Sequence, residues 1–456
     1  MKKNLLILIF IIVQGILYAD NEFELSLNNY AMGKTSGNDY AHWIYSNSEG
    51  KFSKDREHIG IVLDGEGQNG KIEYGGRLIL KDNGEVYKGD INRLYIGRRT
   101  KNFNMYIGKK EYEVSNKKSE LSSGSLMVSN NASSPYRIYF GTNGYIPLPK
   151  TKERLLLSAS ISHSQLEHNR KCVAPYLHEK EGYLKLLVGE KSSVYGGITH
   201  IALWGGEVNG KKINSSFTDF LSVLLISNIG KNDIVTETDN KIGDHKGIYE
   251  FGYTTETEHS NVNLYYQHFF EDKSGYKLQN WRDMLLGINV KNKKSSLIDE
   301  ILFEYIYTKN QGGNSFHLDG GGQDYYYENY LYGPWSYKDM IIGNSLFVGS
   351  GSGKDFKITH SRIKGFHIGL KGTLTEEYKY KILLSRTENC GTFADYNSSN
   401  SVFYKGKKQW YSLFMLNKEN MFGNENGIGY ISIGRDTGEL SQNTTIMAGY
   451  LHKFRF

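Results

Sequence analysis

Apolar and polar residues alternate along the last thirteen residues of the chain, from Thr444 to Phe456. The apolar face holds Ile446, Ala448, Tyr450, Phe454 and Phe456, with His452 as an interruption, and the opposite face carries Thr445, Lys453 and Arg455. This period of two predicts a β-strand with one face towards lipid and the other towards a lumen. An edge strand of a soluble sandwich could show the same pattern.

Segments of about ten residues with this pattern recur between turns rich in Gly, Asn, Asp, Ser or Lys, as barrel strands require. The predicted strands before the last one are 59–65, 71–80, 91–98, 136–145, 154–163, 181–190, 194–203, 247–255, 262–270, 281–291, 298–308, 356–371, 378–386, 409–416 and 427–435. At roughly 24 residues per strand and turn, residues 20–456 predict one all-β domain, a transmembrane antiparallel β-barrel of about 18 strands.

Three longer irregular segments interrupt this series, at 206–246, 311–341 and 389–407. Because barrels place long loops outside the cell and short turns in the periplasm, we expect these segments to be extracellular or to fold into the lumen. A short helix is possible at 217–226.

The start of the chain has the order of a secretory signal peptide. Lys2 and Lys3 precede an apolar run from Leu5 to Val13, and a small residue, Ala19, follows at a suitable distance. We therefore expect residues 1–19 to be a signal peptide and the mature barrel to begin at residue 20. The signal peptide and the alternating C-terminal strand together predict localisation in the outer membrane of a Gram-negative cell, with loops at the surface.

Composition is consistent with such a barrel. The chain has 35 Tyr, 51 Gly and only 5 Pro, with 39% hydrophobic residues, as expected for a wall that is apolar outside, polar inside and ringed by aromatics. Loss of Lys2 and Lys3 lowers the net charge from +6 to +4, spread along the chain, which does not indicate a nucleic-acid partner. Cys172 and Cys390 either pair or remain free, and no metal or cofactor is expected.

Two stretches match enzyme motifs in sequence, but the residues around them do not fit the structures that those motifs require. Residues 65–70 spell GxGxxG but precede a strand-like stretch, so we interpret them as a hairpin turn. Residues 349–354 imitate a phosphate loop, yet they lack its first glycine and are followed by Asp355. A hydrolase with a Ser and a His on neighbouring strands leaves no local motif, so this alternative stays open.

The segment from Gln311 to Tyr337 interleaves aromatic rings with polar side chains, the combination that binds the C–H faces and hydroxyls of sugars. The saccharide-binding candidates are Asp324, Tyr325, Tyr327, Tyr330, Trp335 and Tyr337. For each ring, an interfacial girdle or packing of the loop into the lumen is at least as good an explanation. Loop-latching or lumen candidates are His200, Trp204, Asp244 and His245, and His178 and His268 are interpreted as lumen or turn residues.

The middle of the chain resembles a known family, over roughly residues 135–350. The motifs that carry this resemblance are, in order, YLHEK at 176–180, VYGGITHIALWGG at 194–206, GDHKG at 243–247, YYQHFFEDKSG at 265–275 with DMLLGI at 283–288, and YYYENYLYGPWSY at 325–337 with IGNSL at 342–346. Together they resemble the capsule assembly Wzi family.

That resemblance implies an eighteen-stranded outer-membrane barrel without catalytic activity, a lectin that tethers capsular or other surface polysaccharide. Its expected partners are that polysaccharide, outer-membrane lipid and, through the C-terminal strand, the barrel-assembly machinery. Some members carry an N-terminal helical bundle, which the residues after Phe23 do not resemble. A general diffusion porin remains the first alternative, and an outer-membrane hydrolase the second.

Overall fold

The computed structural model describes residues 23–54, 58–82, 87–112, 116, 119–226, 242–271, 275, 277–278, 280–311, 326–392 and 405–456. Eighteen antiparallel strands form one sheet that closes where the first strand pairs with the last. The strands, β1 to β18 in chain order, are Phe23–Ser36, Ile59–Asn69, Ile72–Asp82, Tyr87–Arg99, Phe103–Lys109, Arg137–Thr142, Leu155–Gln165, Tyr176–Leu187, Ser192–Trp204, Asp244–Glu256, Ser260–Phe270, Met284–Asn292, Glu300–Tyr307, Ile363–Thr373, Tyr378–Asn389, Lys407–Lys418, Gly427–Gly438 and Thr444–Arg455. After a break, β6 continues as Ile146–Pro147, which also pairs with β7.

The remaining elements are short. The helices are α1, His42–Tyr45, and α2, Phe217–Leu225, with 3-10 turns at Gly353–Asp355 and Met421–Gly423. Four small hairpins pair Glu207–Val208 with Lys211–Lys212, Glu328–Asn329 with Gly333–Pro334, Ser336–Tyr337 with Met340–Ile341, and Val348–Ser350 with Lys357–His360. Among the residues described, no helix combines the length and apolarity needed to cross a membrane.

The longest connections between strands all lie at one end of the barrel. At one end, here called the turn end, short turns join the strands, as at 70–71, 100–102, 188–191 and 257–259. At the other end, the loop end, the connections include 37–58, 110–136, 205–243 and 308–362. Phe23 and Phe456 meet at the turn end, where the Phe456 N–H donates to the Phe23 carbonyl at 3.1 Å.

Side chains alternate between the two faces of the wall, as β13 shows. Ile301 and Phe303 are 42% and 40% exposed on the outer face, whereas Leu302, Glu304 and Ile306 are buried towards the lumen. The last strand follows the same rule, because Ile446, Phe454 and Phe456 are exposed and Thr445 is buried. The wall is therefore apolar outside and polar or packed inside, as the alternation predicts.

Residues 119–134, here called the plug, fill much of the lumen. Leu121, Leu126 and Met127 belong to a buried cluster that also contains the inward wall residues Leu302 and Ile306. Serine hydroxyls and backbone groups of the plug pair with wall side chains, since buried polar groups need partners. His367 on β14, for example, lies 2.6 Å from the Leu121 carbonyl through Nε2.

A network of charged side chains joins the start of the connection 110–136, which contains the plug, to the wall. Arg77 on β3 is 4% exposed, and its guanidinium contacts Glu49, Asp64 and Glu111 at 2.7, 2.7 and 2.8 Å. Although burial acts in the opposite direction, Arg93 and Arg77 lower the pKa of Glu111 to about 2. Both connections, 37–58 and 110–136, are thus anchored to the inner wall by charge-assisted hydrogen bonds.

Several expectations about individual segments need correction. β1 and β5 were not predicted, and the predicted strand 356–371 is two elements, Lys357–His360 in a small hairpin and β14 in the wall. The plug was not predicted either. Within the described part of 206–246, α2 packs on the outer face of the wall, whereas Ile213 joins the buried cluster that contains the plug. The predicted helix at 217–226 is confirmed as Phe217–Leu225, and Cys172 and Cys390 are both free and buried.

Candidate functional site

The small hairpin of residues 328–334 presents an aromatic ring at the loop end. Tyr330, at its tip, is 63% exposed. The Asn329 side-chain oxygen accepts hydrogen bonds from the backbone N–H groups of Leu331 and Tyr332 at 2.8 and 2.9 Å, which fixes the turn. The ring is therefore held out from the protein by an ordered turn.

A buried arginine holds this hairpin from below. Arg170, in the connection between β7 and β8, is 2% exposed. Its guanidinium donates to the carbonyls of Tyr332, Pro334 and Ser336 at 3.2, 2.9 and 2.9 Å. Because the planar guanidinium has donors in a fixed fork, it sets the position of all three carbonyls together. Arg170 is a positioning residue that the sequence reasoning missed.

Two carboxylates complete the support. Glu167 accepts from the Lys338 N–H at 3.1 Å, and Glu328 accepts from the Ile358 N–H at 2.9 Å. Burial raises the pKa of both groups. The Glu328 contact joins the hairpin of Tyr330 to the strand Lys357–His360, and the Glu167 contact joins the β7–β8 connection to the neighbouring hairpin that contains Lys338.

Exposed polar side chains lie on the same surface as the hairpin. Lys171 lies beside it, since a Cβ added at Gly333 would be 3.0 Å from the Lys171 Cβ. Asn169 lies against Gly353, which brings the exposed Lys354 to the same surface. We call Tyr330, His168, Asn169, Lys171 and Lys354 the rim surface. It offers one stacking ring and several groups that hydrogen-bond hydroxyls or pair with anions.

Two of the predicted saccharide contacts are packing residues here. Trp335 is 0% exposed, its Nε1–H donates to the Met127 carbonyl of the plug at 2.8 Å, and the Lys246 ammonium lies 5.8 Å from its ring centre. Tyr327 is also 0% exposed and packs against Phe347, with ring centres 4.4 Å apart and ring planes tilted by 47°. Such rings have no face to offer a sugar, so the packing alternative describes them and their segment folds inward.

Of the other predicted saccharide contacts, one is buried, two are not described and one is exposed. Tyr337 is 6% exposed, with the ammonium groups of Lys109 and Lys338 each 5.8 Å from its ring centre. Asp324 and Tyr325 lie outside the described residues. Tyr330 is therefore the one candidate ring, among those described, with a large free surface.

The loop-latching candidates fall on both faces of the wall. Asp244 faces inward and forms an ion pair with Lys246, which lies 3.7 Å from Glu271. His200 and His245 face outward, with Nε2 and Nδ1 3.0 Å apart, and His245 contacts the Ile242 carbonyl at 2.7 Å. Trp204 packs outside the wall with Val223 of α2. Lys246 and His245 thus link the wall to loop residues Glu271 and Ile242, whereas the Asp244 ion pair stays within β10.

The lumen retains a cavity beside the plug. A cavity of about 240 Å³ lies between plug residues such as Ser122 and Ser129 and wall residues such as Thr199, Glu250 and Gln267. Within the described ranges, no three His, Cys, Asp or Glu side chains could hold a metal ion. The paired Ser385 and His367, 2.7 Å apart, are at most 1% exposed and bonded to α1 and the plug, so no substrate reaches them.

Comparison with known proteins identifies a family and a fold. The model of the capsule assembly protein Wzi family matches residues 17–362. The solved structure of Wzi from Escherichia coli, described as an outer membrane protein involved in group 1 capsule assembly and a carbohydrate-binding β-barrel, is 12% identical, with a TM-score of 0.59 over 98% of this chain and 87% of that one. Pseudomonas aeruginosa OpdO is 10% identical, with a TM-score of 0.50 over 96% and 98%. No curated protein matches.

Proposed function

This chain belongs to the capsule assembly protein Wzi family, and we propose that it is a non-enzymatic outer-membrane barrel whose loop end binds capsular or other surface polysaccharide. The likeness in fold to a carbohydrate-binding barrel of Escherichia coli supports the class of ligand. In this proposal the loop end faces the cell exterior, because barrels of this kind keep their short turns in the periplasm.

The observation that carries the proposal is the exposure of Tyr330 on a fixed turn. A ring held by Asn329 and, through its hairpin, by Arg170 loses little conformational freedom when a sugar stacks on it. Such a contact is worth about 1 kcal/mol, and a polymer repeats it along its length. The site would thus be weak for one sugar unit and effective for a chain.

The charge of the rim surface suggests which polysaccharides it prefers. Lys171 and Lys354 of the rim surface are exposed, and exposed ammonium groups attract anions over about one Debye length. We propose that the ligand is acidic, with carboxylates or phosphates along the chain. Binding should then weaken as salt concentration rises.

The two alternatives are less well supported. A general diffusion porin needs an open lumen, whereas the plug and the segment around Trp335 occupy it. A hydrolase needs an accessible nucleophile, whereas the Ser385 and His367 pair is sealed. The barrel-assembly machinery and outer-membrane lipid remain proposed partners of the closing strand and of the apolar wall.

The experiment compares Tyr330→Ala with Phe422→Ala, a matched change of a ring that is 82% exposed at the turn end. Cell-attached and shed polysaccharide are measured at equal surface abundance of the protein, and purified protein is titrated with the isolated polymer. We expect about five-fold weaker binding for Tyr330→Ala, the loss of a ~1 kcal/mol contact, and no change for Phe422→Ala. Equal retention by the two variants would exclude Tyr330 from the site.

A further inference from the structure

A row of histidines crosses the outer face of the wall near the loop end. In the strand register, His163 of β7 lies opposite His178 of β8, which lies opposite Ala202 of β9, and Ala202 lies opposite His245 of β10. Leu184, Val194 and Phe251 lie an even number of residues from His178, Ala202 and His245 on the same strands, and they are 47%, 41% and 56% exposed. Alternation therefore places the histidines on the lipid side, although His178 was expected in the lumen or a turn.

A polar side chain on the lipid side of the wall costs free energy where it contacts the hydrocarbon of the membrane. Here helix α2 covers them. The ring of Phe220 lies 5.5 Å from that of His163 and 5.8 Å from that of His178, and the Lys180 ammonium donates to the Leu224 carbonyl at the helix C-terminus. His178 is left with no exposed surface.

The helix itself has an inverted pattern of polarity. It begins with a capping box in which the Ser216 and Asp219 side chains bond each other's backbone N–H groups. The buried face contains Asp219 and Ser222, 4% and 1% exposed, together with Val223. The opposite face carries Phe217 and Leu225, 74% and 61% exposed, with Leu221 between them. A surface helix in water normally has the reverse arrangement.

We propose that α2 lies in the leaflet at the loop end, with Phe217, Leu221 and Leu225 among lipid acyl chains. The helix replaces a polar patch of the wall with an apolar surface, and that surface continues the lipid-facing belt to which Leu184 and Phe251 belong. Its polar residues face the wall because water is absent on the other side. Lipid is thus the occupant that fits this face, and the inference does not depend on polysaccharide binding.

Spin labels at the exposed positions test this placement. Phe217→Cys and Leu225→Cys are labelled in separate proteins, and the native Cys172 and Cys390 are buried. Phe251→Cys on the wall serves as the lipid reference, and Lys211→Cys, in the exposed hairpin before α2, serves as the aqueous reference. Each protein is reconstituted in phosphatidylcholine vesicles, and accessibility to oxygen and to a water-soluble nickel complex is measured.

We expect the oxygen-to-nickel accessibility ratio at 217 and 225 to equal that at 251 and to exceed that at 211 several-fold. A ratio equal to that at 211 would place α2 in water and overturn the proposal. Low accessibility to both reagents would mean that protein covers the helix, which would overturn it as well. Phe217→Trp in vesicles of acyl-brominated phosphatidylcholine is an independent check, because quenching beyond that of the unmodified protein is expected.

Discussion

The Glu304 carboxylate on β13 accepts two hydrogen bonds from Ser123 of the plug, one from its backbone N–H at 2.8 Å and one from its hydroxyl at 2.6 Å. The Ser122 hydroxyl and the Tyr265 phenol donate to the same carboxylate. Glu304 is 1% exposed, so water cannot replace these partners. One wall residue therefore fixes the turn of the plug at Ser122 and Ser123.

Removal of this acceptor should loosen the plug. In Glu304→Ala, the buried N–H and hydroxyl of Ser123 lose their acceptor, at a cost of about 1–3 kcal/mol for each unsatisfied group. We expect low single-channel conductance in planar bilayers for the parent protein and frequent, larger openings for the variant. Glu376→Ala, at an exposed position of the turn end, is the control. Large steady conductance in the parent would contradict a sealing role of the plug.

The wall could be predicted because lipid on one face imposes strict alternation, which is visible in stretches such as β13 and β18. The plug could not be predicted, since residues 119–134 are rich in Ser and Asn and have no period of two or 3.6. Their partners are wall residues such as Glu304 and His367, more than 180 residues away in sequence. β1 was missed because Asn28 and Asn29 interrupt its alternation.

The candidate site could be predicted only in part, because its exposed and buried rings are distinguished by contacts that are distant in sequence. The aromatic segment was recognised from composition, but composition does not distinguish Tyr330, which is exposed, from Trp335 five residues later, which is buried. That difference depends on the Met127 carbonyl of the plug and on the three carbonyls that Arg170 holds. Both contacts are distant in sequence and carry no local motif.

Trp335→Ala should therefore act on stability. Loss of a fully buried indole costs about 3–5 kcal/mol when the cavity does not collapse, and the bond to the Met127 carbonyl is lost with it. We expect faster proteolysis of the loop end and a lower midpoint in heat-modifiable migration. Trp281→Ala, which removes an indole that is 62% exposed, should change neither. Normal stability of Trp335→Ala with reduced polysaccharide binding would return this residue to the site.

Phe456 should be required for closure of the barrel. Its N–H and carbonyl pair with the backbone of Phe23, at 3.1 and 3.4 Å, and the two rings lie 6.3 Å apart. Deletion of Phe456, or a charged replacement, leaves an unpaired edge where β1 and β18 meet. We expect less heat-modifiable protein in the outer membrane, whereas Phe456→Tyr should assemble normally. Surface exposure of the deletion variant at the parent level would refute this requirement.

The last prediction concerns pH and the carboxyl of Asp283, in the connection between β11 and β12. Asp283 is 0% exposed and accepts from the Asn310 N–H at 2.8 Å, the Gln311 N–H at 2.6 Å and the Tyr326 hydroxyl at 2.7 Å. Burial raises the pKa of Asp283 to about 7, and these three donors act against it. The group thus joins two loop-end connections and changes its charge near neutral pH.

Because the pKa is higher in the folded protein than the value of 3.8 for an unperturbed Asp, the folded state binds the extra proton. The stability that Asp283 contributes is fully present below pH ~4 and is lost as pH rises through ~7. We expect hydrogen exchange of the Gln311 amide, corrected for its intrinsic rate, to be slower at pH 5.5 than at pH 8.5. Asp283→Asn should abolish this difference while the barrel stays folded. Equal pH dependence in the parent and in Asp283→Asn would assign it to another group.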